Sequence, residues 1–283
     1  MKSTDFDSFR RNALQSAYDR YGEQLAKCRL GFIEESVHDL RVAIRRLLAA
    51  VDLFNSIHPL SYLAAIRKDM KRKLRAFNAL RDAHVALSII KANLYRFPIL
   101  QIYYHELVSR EQLLALQLKS EVEKFDDRYV EDALFLLNLY FSAHDSESFT
   151  LDEARVALRE AKEKFDKRLA VADPSDGATI HKARIAFKRF RYMAEALSIE
   201  LGITKENKKR MNEYQTLMGE IQDSEALLND FTAFSKRISK EYRPQINEAL
   251  KYLKSERERL IAYFFERKDV FPLELESVTA DYL

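Results

Sequence analysis

The sequence predicts an all-α fold, and three observations predict it. The 283 residues include only five Gly and five Pro, and long stretches are rich in Leu, Ala, Lys, Glu and Arg, a composition that favours helix over strand or loop. No segment shows the strict apolar and polar alternation of a half-buried strand. A basic motif with helical spacing is written twice. Val37 to Arg46 reads Val-His-Asp-Leu-Arg-Val-Ala-Ile-Arg-Arg, and Ile180 to Arg189 reads Ile-His-Lys-Ala-Arg-Ile-Ala-Phe-Lys-Arg.

The periodicity places helices at 5–29, 34–56, 60–93, 98–126, 128–143, 151–171, 178–201, 205–238 and 244–268. The first is polar from Met1 to Gln15, with no apolar core of a leader peptide. On the second, His38, Arg41 and Arg45 fall within about a 60° arc, opposite Leu40, Ile44 and Leu47. Pro59, Pro98 and Pro244 mark helix starts, because a first-turn proline has no amide that the helix needs. Ile66, Met70, Phe77 and Leu80 share one face of the third helix. The fifth contains the most apolar run, Ala133 to Phe141, broken by Asn138 and too short to span a membrane. Thr150 with Glu153 forms a capping-box pattern, and Asp173-Pro174-Ser175-Asp176-Gly177 is a loop. The next helix repeats the basic face with His181, Arg184, Lys188 and Arg191 opposite Ala183, Phe187 and Phe190. Met211, Tyr214, Leu217, Met218 and Ile221 form the stripe of the long helix that follows. Phe271 to Leu283 has no helical period.

Charge is segregated rather than excessive. The formal net charge is only +3, from 47 Lys and Arg against 44 Asp and Glu. Arg67 to Asp82 nevertheless carries seven cations against two Asp, and Lys182 to Arg191 carries five cations. Acid collects elsewhere, at Glu121 to Asp132 and Asp145 to Glu153. Such segregation focuses a field on anions, which a mixed surface does not.

The repeat extends beyond the motif. Phe77-Asn78-Ala79-Leu80-Arg81-Asp82 has a counterpart in Met218-Gly219-Glu220-Ile221-Gln222-Asp223, at the same spacing of about 140 residues. An internal duplication of this length predicts two helical bundles related by a pseudo-two-fold axis. The first half is 1–143, with 128–143 as a connecting helix; the second is 150–268, followed by a tail, 269–283.

Both motifs, the Leu-Arg-Asp at Leu80 to Asp82 and the Gln-x-x-Met-Gly-x-Ile-x-Asp from Gln215 to Asp223 together resemble the CHAD domain, the conserved histidine α-helical domain. The resemblance spans about Phe6 to Lys268. It implies a pseudo-symmetric pair of four-helix bundles, a basic groove or pore between them, and binding of inorganic polyphosphate. Carried over by motif, the ligand set is His38, Arg41, Arg45 and Arg46 with His181, Arg184, Lys188, Arg189 and Arg191. The copies differ, with Leu48 opposite Arg191 and Gln222 opposite Arg81. The helix faces themselves add Lys68, Arg72 and Arg75, with Lys71 beside them, and Lys205, Lys208, Lys209 and Asn212. A phosphate chain has one charge per unit and no bases, so Arg forks and Lys point charges suffice to hold it.

Other chemistries fit less well. His38-Asp39 and His144-Asp145 spell a dipeptide of metal-dependent phosphohydrolases, but arginines surround the first and the second falls in a loop. A CYTH-type triphosphatase needs Glu-x-Glu-x-Lys, and Glu274 to Val278 lacks the Lys. No Gly-rich nucleotide loop exists to feed a phosphoacceptor histidine. The expectation is therefore a non-catalytic binding module without metal or cofactor. Its partners are inorganic polyphosphate or another polyanion, and polyphosphate-metabolising enzymes. Nucleic acid ranks below these, and a membrane is not expected. Cys28 is the only cysteine, so a reducing cytoplasm is expected, with polyphosphate granules as the place of action.

Overall fold

A computed structural model describes residues 3–143 and 150–269. The boundary near 144–149, the His144-Asp145 pair, the tail from Phe271 and Glu274 to Val278 lie outside the described residues. Among the described residues there are ten α-helices and no named strand. They are α1 (Ser3–Leu30), α2 (Glu34–Ile57), α3 (Ser61–Ala76), α4 (Asn78–Asn93), α5 (Leu100–Val122), α6 (Arg128–Ala143), α7 (Leu151–Ala170), α8 (Gly177–Ala196), α9 (Lys205–Ser235) and α10 (Arg243–Arg267), with a 3₁₀ turn at Lys240–Tyr242 before the last.

The start signals act as their chemistry requires. Thr150 accepts from the Glu153 amide while the Glu153 carboxylate takes the Thr150 amide, a complete capping box. Asp176 caps α8 by accepting from the Ala178 amide at 2.9 Å, and Thr204 caps α9 through the Asn207 amide. Helix ends shift by a few residues from the sequence expectation, as at Val122 and Ser235, and two differences are larger. The single helix over 60–93 is broken at Phe77 (φ −85°, ψ −1°), which closes α3 with its amide on the Arg75 carbonyl and precedes α4. Its side chain is fully buried, edge-on to Phe125. The helix predicted over 178–201 stops at Ala196; Gly202 then adopts φ 63°, and the Ile203 amide returns to the Ser198 carbonyl at 2.8 Å. Only glycine takes that backbone without strain.

Two apolar clusters hold the helices together, and each draws on both halves of the chain. The larger joins α1, α2, α3, α6, α7 and α8 with the first turn of α4, the first half of α9 and the C-terminal ends of α5 and α10. The smaller is built from α4 and α5 with α9 and α10, around Phe97, Tyr103, Phe231 and Phe234. Leu80 and Ile221 belong to the first cluster, Ala86 and Leu227 to the second. Between these positions α4 and α9 place Arg81 and Asp223, so a charged layer separates the two cores. Helices α2, α8, α9 and α4 close a circuit of contacts around it: α2 packs on α8, α8 on α9, α9 on α4, and α4 on α2.

Candidate functional site

The two motif helices bury their apolar faces and leave their cations at this junction. Val37, Leu40, Ile44 and Leu47 of α2 are fully buried, as are Ile180, Ala183, Phe187 and Phe190 of α8. Arg41 follows one turn after Val37, yet it is also buried. Its Nη1 donates to the Leu74 carbonyl at 3.1 Å and to Asn78 Oδ1 at 2.8 Å. The Leu74 carbonyl lies in the last turn of α3, where no helical amide remains to bond it. Arg41 therefore clamps the α3–α4 break through neutral acceptors, with Asp82 only as a more distant counter-charge. Arg184, its counterpart in the second motif, lies against Gly219 of α9. A Cβ at Gly219 would sit 3.6 Å from Arg184 Nη2. Asn78 and Gly219 are the positions that the sequence repeat aligns.

Charge accumulates here faster than it is neutralised. Burial, and then Arg45 and Arg81, pull the Arg41 pKa down to about 9, a guanidinium still charged at neutral pH. Burial also lowers that of Arg184, against the opposing pull of Asp223, with Arg45 and Arg81 adding to the depression. Lys188 is pushed furthest: burial first, then Arg45, Arg184, Arg81 and Arg41, bring its ammonium down to about 5. Removing an ion from water and surrounding it with like charges both disfavour the charged form. Arg81 alone gains a full partner. Its Nη1 and Nη2 donate to the two carboxylate oxygens of Asp223 at 2.6 and 2.7 Å, and Nη1 also reaches Asp82 at 3.3 Å. Burial opposes the Arg81 charge, but these bonds outweigh it and raise its pKa.

A second cationic group gathers around Lys71. Lys71 is depressed by burial and then by Arg67, with Arg189 and Arg75 contributing and Asp52 opposing. Arg189 of α8 is thereby coupled to the basic side of α3. Arg46 and Lys208 line a separate cleft of about 550 Å³ with Arg20, Tyr192 and Glu195. His181 borders another, of about 450 Å³, with Asp176, Gln222, Glu225 and Arg257. Its Nδ1 is buried without a hydrogen-bond partner. His38 is exposed.

Of the residues selected from sequence, Arg41, Arg45, Arg184 and Lys188 meet in the first group, and Arg75 and Arg189 in the second. Others are engaged elsewhere. Arg191 is buried, donates to Asn212 Oδ1 at 2.6 Å, approaches Glu195 at 3.3 Å and lies over the Tyr192 ring. Arg191 and Asn212 thus serve each other. Arg72 pairs with Asp69 at 2.7 Å and lies over Phe125. Lys68 and Lys205 are exposed, and Lys209 lies 3.9 Å from Glu213 on a solvated face.

The helix faces do not single out Arg81. Its signal is the Leu-Arg-Asp motif itself, where the second copy has Gln222 in place of arginine. Lys73, one of the seven cations of Arg67 to Asp82, is fully buried and bonded to Asp69 and Asp127. It is a core ion pair.

Among the described residues no three His, Cys, Asp or Glu side chains converge to hold a metal ion, and no helix is long and apolar enough to cross a membrane. Comparison with curated proteins finds no match. Two solved structures resemble the chain throughout. The crystal structure of the CHAD domain from the plant Ricinus communis matches with TM-score 0.65 and 20% identity, over 97% of this chain and 90% of that one. PptA from Streptomyces chartreusis matches with TM-score 0.64 and 14% identity, over 91% of this chain and 95% of that one. At these identities the likeness is one of fold. The CHAD domain profile matches residues 12–231, and with most of the sequence covered, the chain belongs to the CHAD domain family.

Proposed function

We propose that this chain is a non-catalytic binding module for a linear polyanion, inorganic polyphosphate, acting in the cytoplasm at polyphosphate granules. The observation that carries the reading is the crowding of Arg41, Arg45, Arg81, Arg184 and Lys188 at one helix junction. Burial and mutual repulsion there drive Lys188 to give up its proton. Crowding of this kind is costly in an isolated protein, and an anion relieves it. The second group, Lys71, Arg75 and Arg189, continues the positive field along α3 and α8, which suits a ligand longer than one phosphate. Arginine forks and lysine point charges recognise phosphoryl oxygens without reading a base. Partners that make or degrade polyphosphate would meet the module through the shared polymer.

Titration with long-chain polyphosphate over a range of salt concentration tests the reading. The Arg41→Ala, Arg184→Ala double variant is expected to bind more weakly and to show a flatter plot of log affinity against log salt, because each lost phosphate contact releases one fewer counterion. A folded double variant with the full slope would place the ligand elsewhere.

A further inference from the structure

We infer that Arg81 is a ligand-binding residue and that Asp223 is its placeholder, a carboxylate that fills the Arg81 fork in the free protein and yields it to a phosphoryl group on binding. The inference rests on the polyanion reading and deepens it. Its foundation is a bidentate pair, 2.6 and 2.7 Å, joining α4 of one half to α9 of the other. A carboxylate and a phosphoryl group present the same two acceptors to a guanidinium, so either fits the fork.

Three features distinguish this pair from an ordinary structural bridge. First, it is the one full pairing in the group: Arg41 bonds only a carbonyl and an amide oxygen, and Lys188 is surrounded by cations. Asp223 also opposes the depression of Arg184, so its charge serves two arginines. Second, the motif asymmetry leaves Asp223 without a neighbouring arginine of its own. Position 222 is Gln where position 81 is Arg, and Asp223 reaches across to the other half while Asp82 stays 59% exposed beside Arg81. Third, the pair is open to exchange. The Arg81 side chain is 26% exposed, and both residues border a cleft of about 350 Å³ that Arg110 and Asp230 also line.

A placeholder has a signature that a purely structural carboxylate lacks, because its removal moves stability and affinity in opposite directions. Asp223→Asn leaves the cations uncompensated, so the free protein should melt at a lower temperature. The vacated charge should raise affinity for tripolyphosphate about tenfold, the scale of one charge-assisted hydrogen bond. Asp82→Asn, which removes a carboxylate from the same edge, should change affinity by less than about threefold, the scale of an exposed ion pair. Binding by the wild-type protein together with equal or weaker binding by Asp223→Asn would overturn the inference alone, as would an equal gain in Asp82→Asn. Absence of polyphosphate binding by the wild-type protein would overturn the functional reading and this inference with it. Should Asp223→Asn fail to fold, a crystal structure of the wild-type protein with tripolyphosphate decides. Phosphoryl oxygens on Arg81 Nη1 and Nη2 with Asp223 displaced support the exchange; an unbroken pair beside bound ligand refutes it.

Discussion

Lys188→Gln provides a sharp test of the electrostatics. In the free protein burial and the neighbouring arginines bring Lys188 down to about 5, so at pH 7 about one molecule in a hundred carries the proton there. Phosphoryl oxygens at the junction cancel the repulsion from Arg41, Arg45, Arg81 and Arg184 and supply an opposite charge, which returns the value toward that of an ordinary lysine. Binding at pH 7 should then take up close to one proton at this residue. By linkage, affinity strengthens as pH falls by about tenfold per unit while the free amine is neutral and the bound one charged, or about a hundredfold from pH 8 to pH 6. Calorimetry in buffers of different ionisation enthalpy measures the uptake. Protonation of the ligand's terminal phosphates enters both titrations, so the difference between wild type and Lys188→Gln isolates the lysine. Equal uptake by the two proteins would refute the reasoning. The same group makes the free protein less stable at lower pH. Its folded value lies below the unfolded one, so the unfolded chain holds the extra proton from about pH 5 to about pH 10.5, and stability rises with pH across that window.

Further outcomes follow from partners elsewhere in the structure. Arg184→Ala should weaken polyphosphate binding with little loss of thermal stability, whereas Arg41→Ala should also cost about 1–3 kcal/mol, read from chemical denaturation, because it empties the clamp on Leu74 and Asn78. Lys73→Met should cost about 3–5 kcal/mol by leaving Asp69 and Asp127 unpaired beside the core, and in the folded fraction leave polyphosphate affinity unchanged. Incubation with polyphosphate or tripolyphosphate and Mg²⁺ or Mn²⁺ should release no orthophosphate. Metal-dependent turnover abolished by mutation of His38 would contradict the non-catalytic reading.

Much of the fold was legible because helix periodicity and capping chemistry are local. Thr150 caps its helix as the capping-box pattern requires, and the apolar faces of α2 and α8 are buried as their spacing requires. The break at Phe77 was not legible. It depends on a ring packing against Phe125 from the distant α5–α6 connection and on a clamp from Arg41, and neither leaves a trace in the local pattern. The candidate site divides the same way. A basic face identifies cations but not their partners, so Arg191 resembles Arg184 in sequence although one bonds Asn212 and Glu195 and the other lies against Gly219 with only a share of the Asp223 charge. One clue was present: Arg191 aligns with Leu48, and both positions are buried. The motif histidines draw the eye, while a large electrostatic perturbation falls on Lys188, whose half-buried place among arginines only the packing of α8 against its neighbours reveals.

The central claim, that the junction is built for a chain of phosphates, is tested most directly by competition at physiological salt between long-chain polyphosphate and single-stranded DNA or RNA of equal total charge. Among the described residues the cationic groups hold arginine and lysine without an exposed aromatic ladder, and base stacking is what gives single-stranded nucleic acid its affinity beyond charge. Polyphosphate should displace the nucleic acid, and the preference should shrink in Arg41→Ala, Arg184→Ala. Equal or tighter binding of the nucleic acid would contradict the account and assign the basic junction to nucleic acid instead.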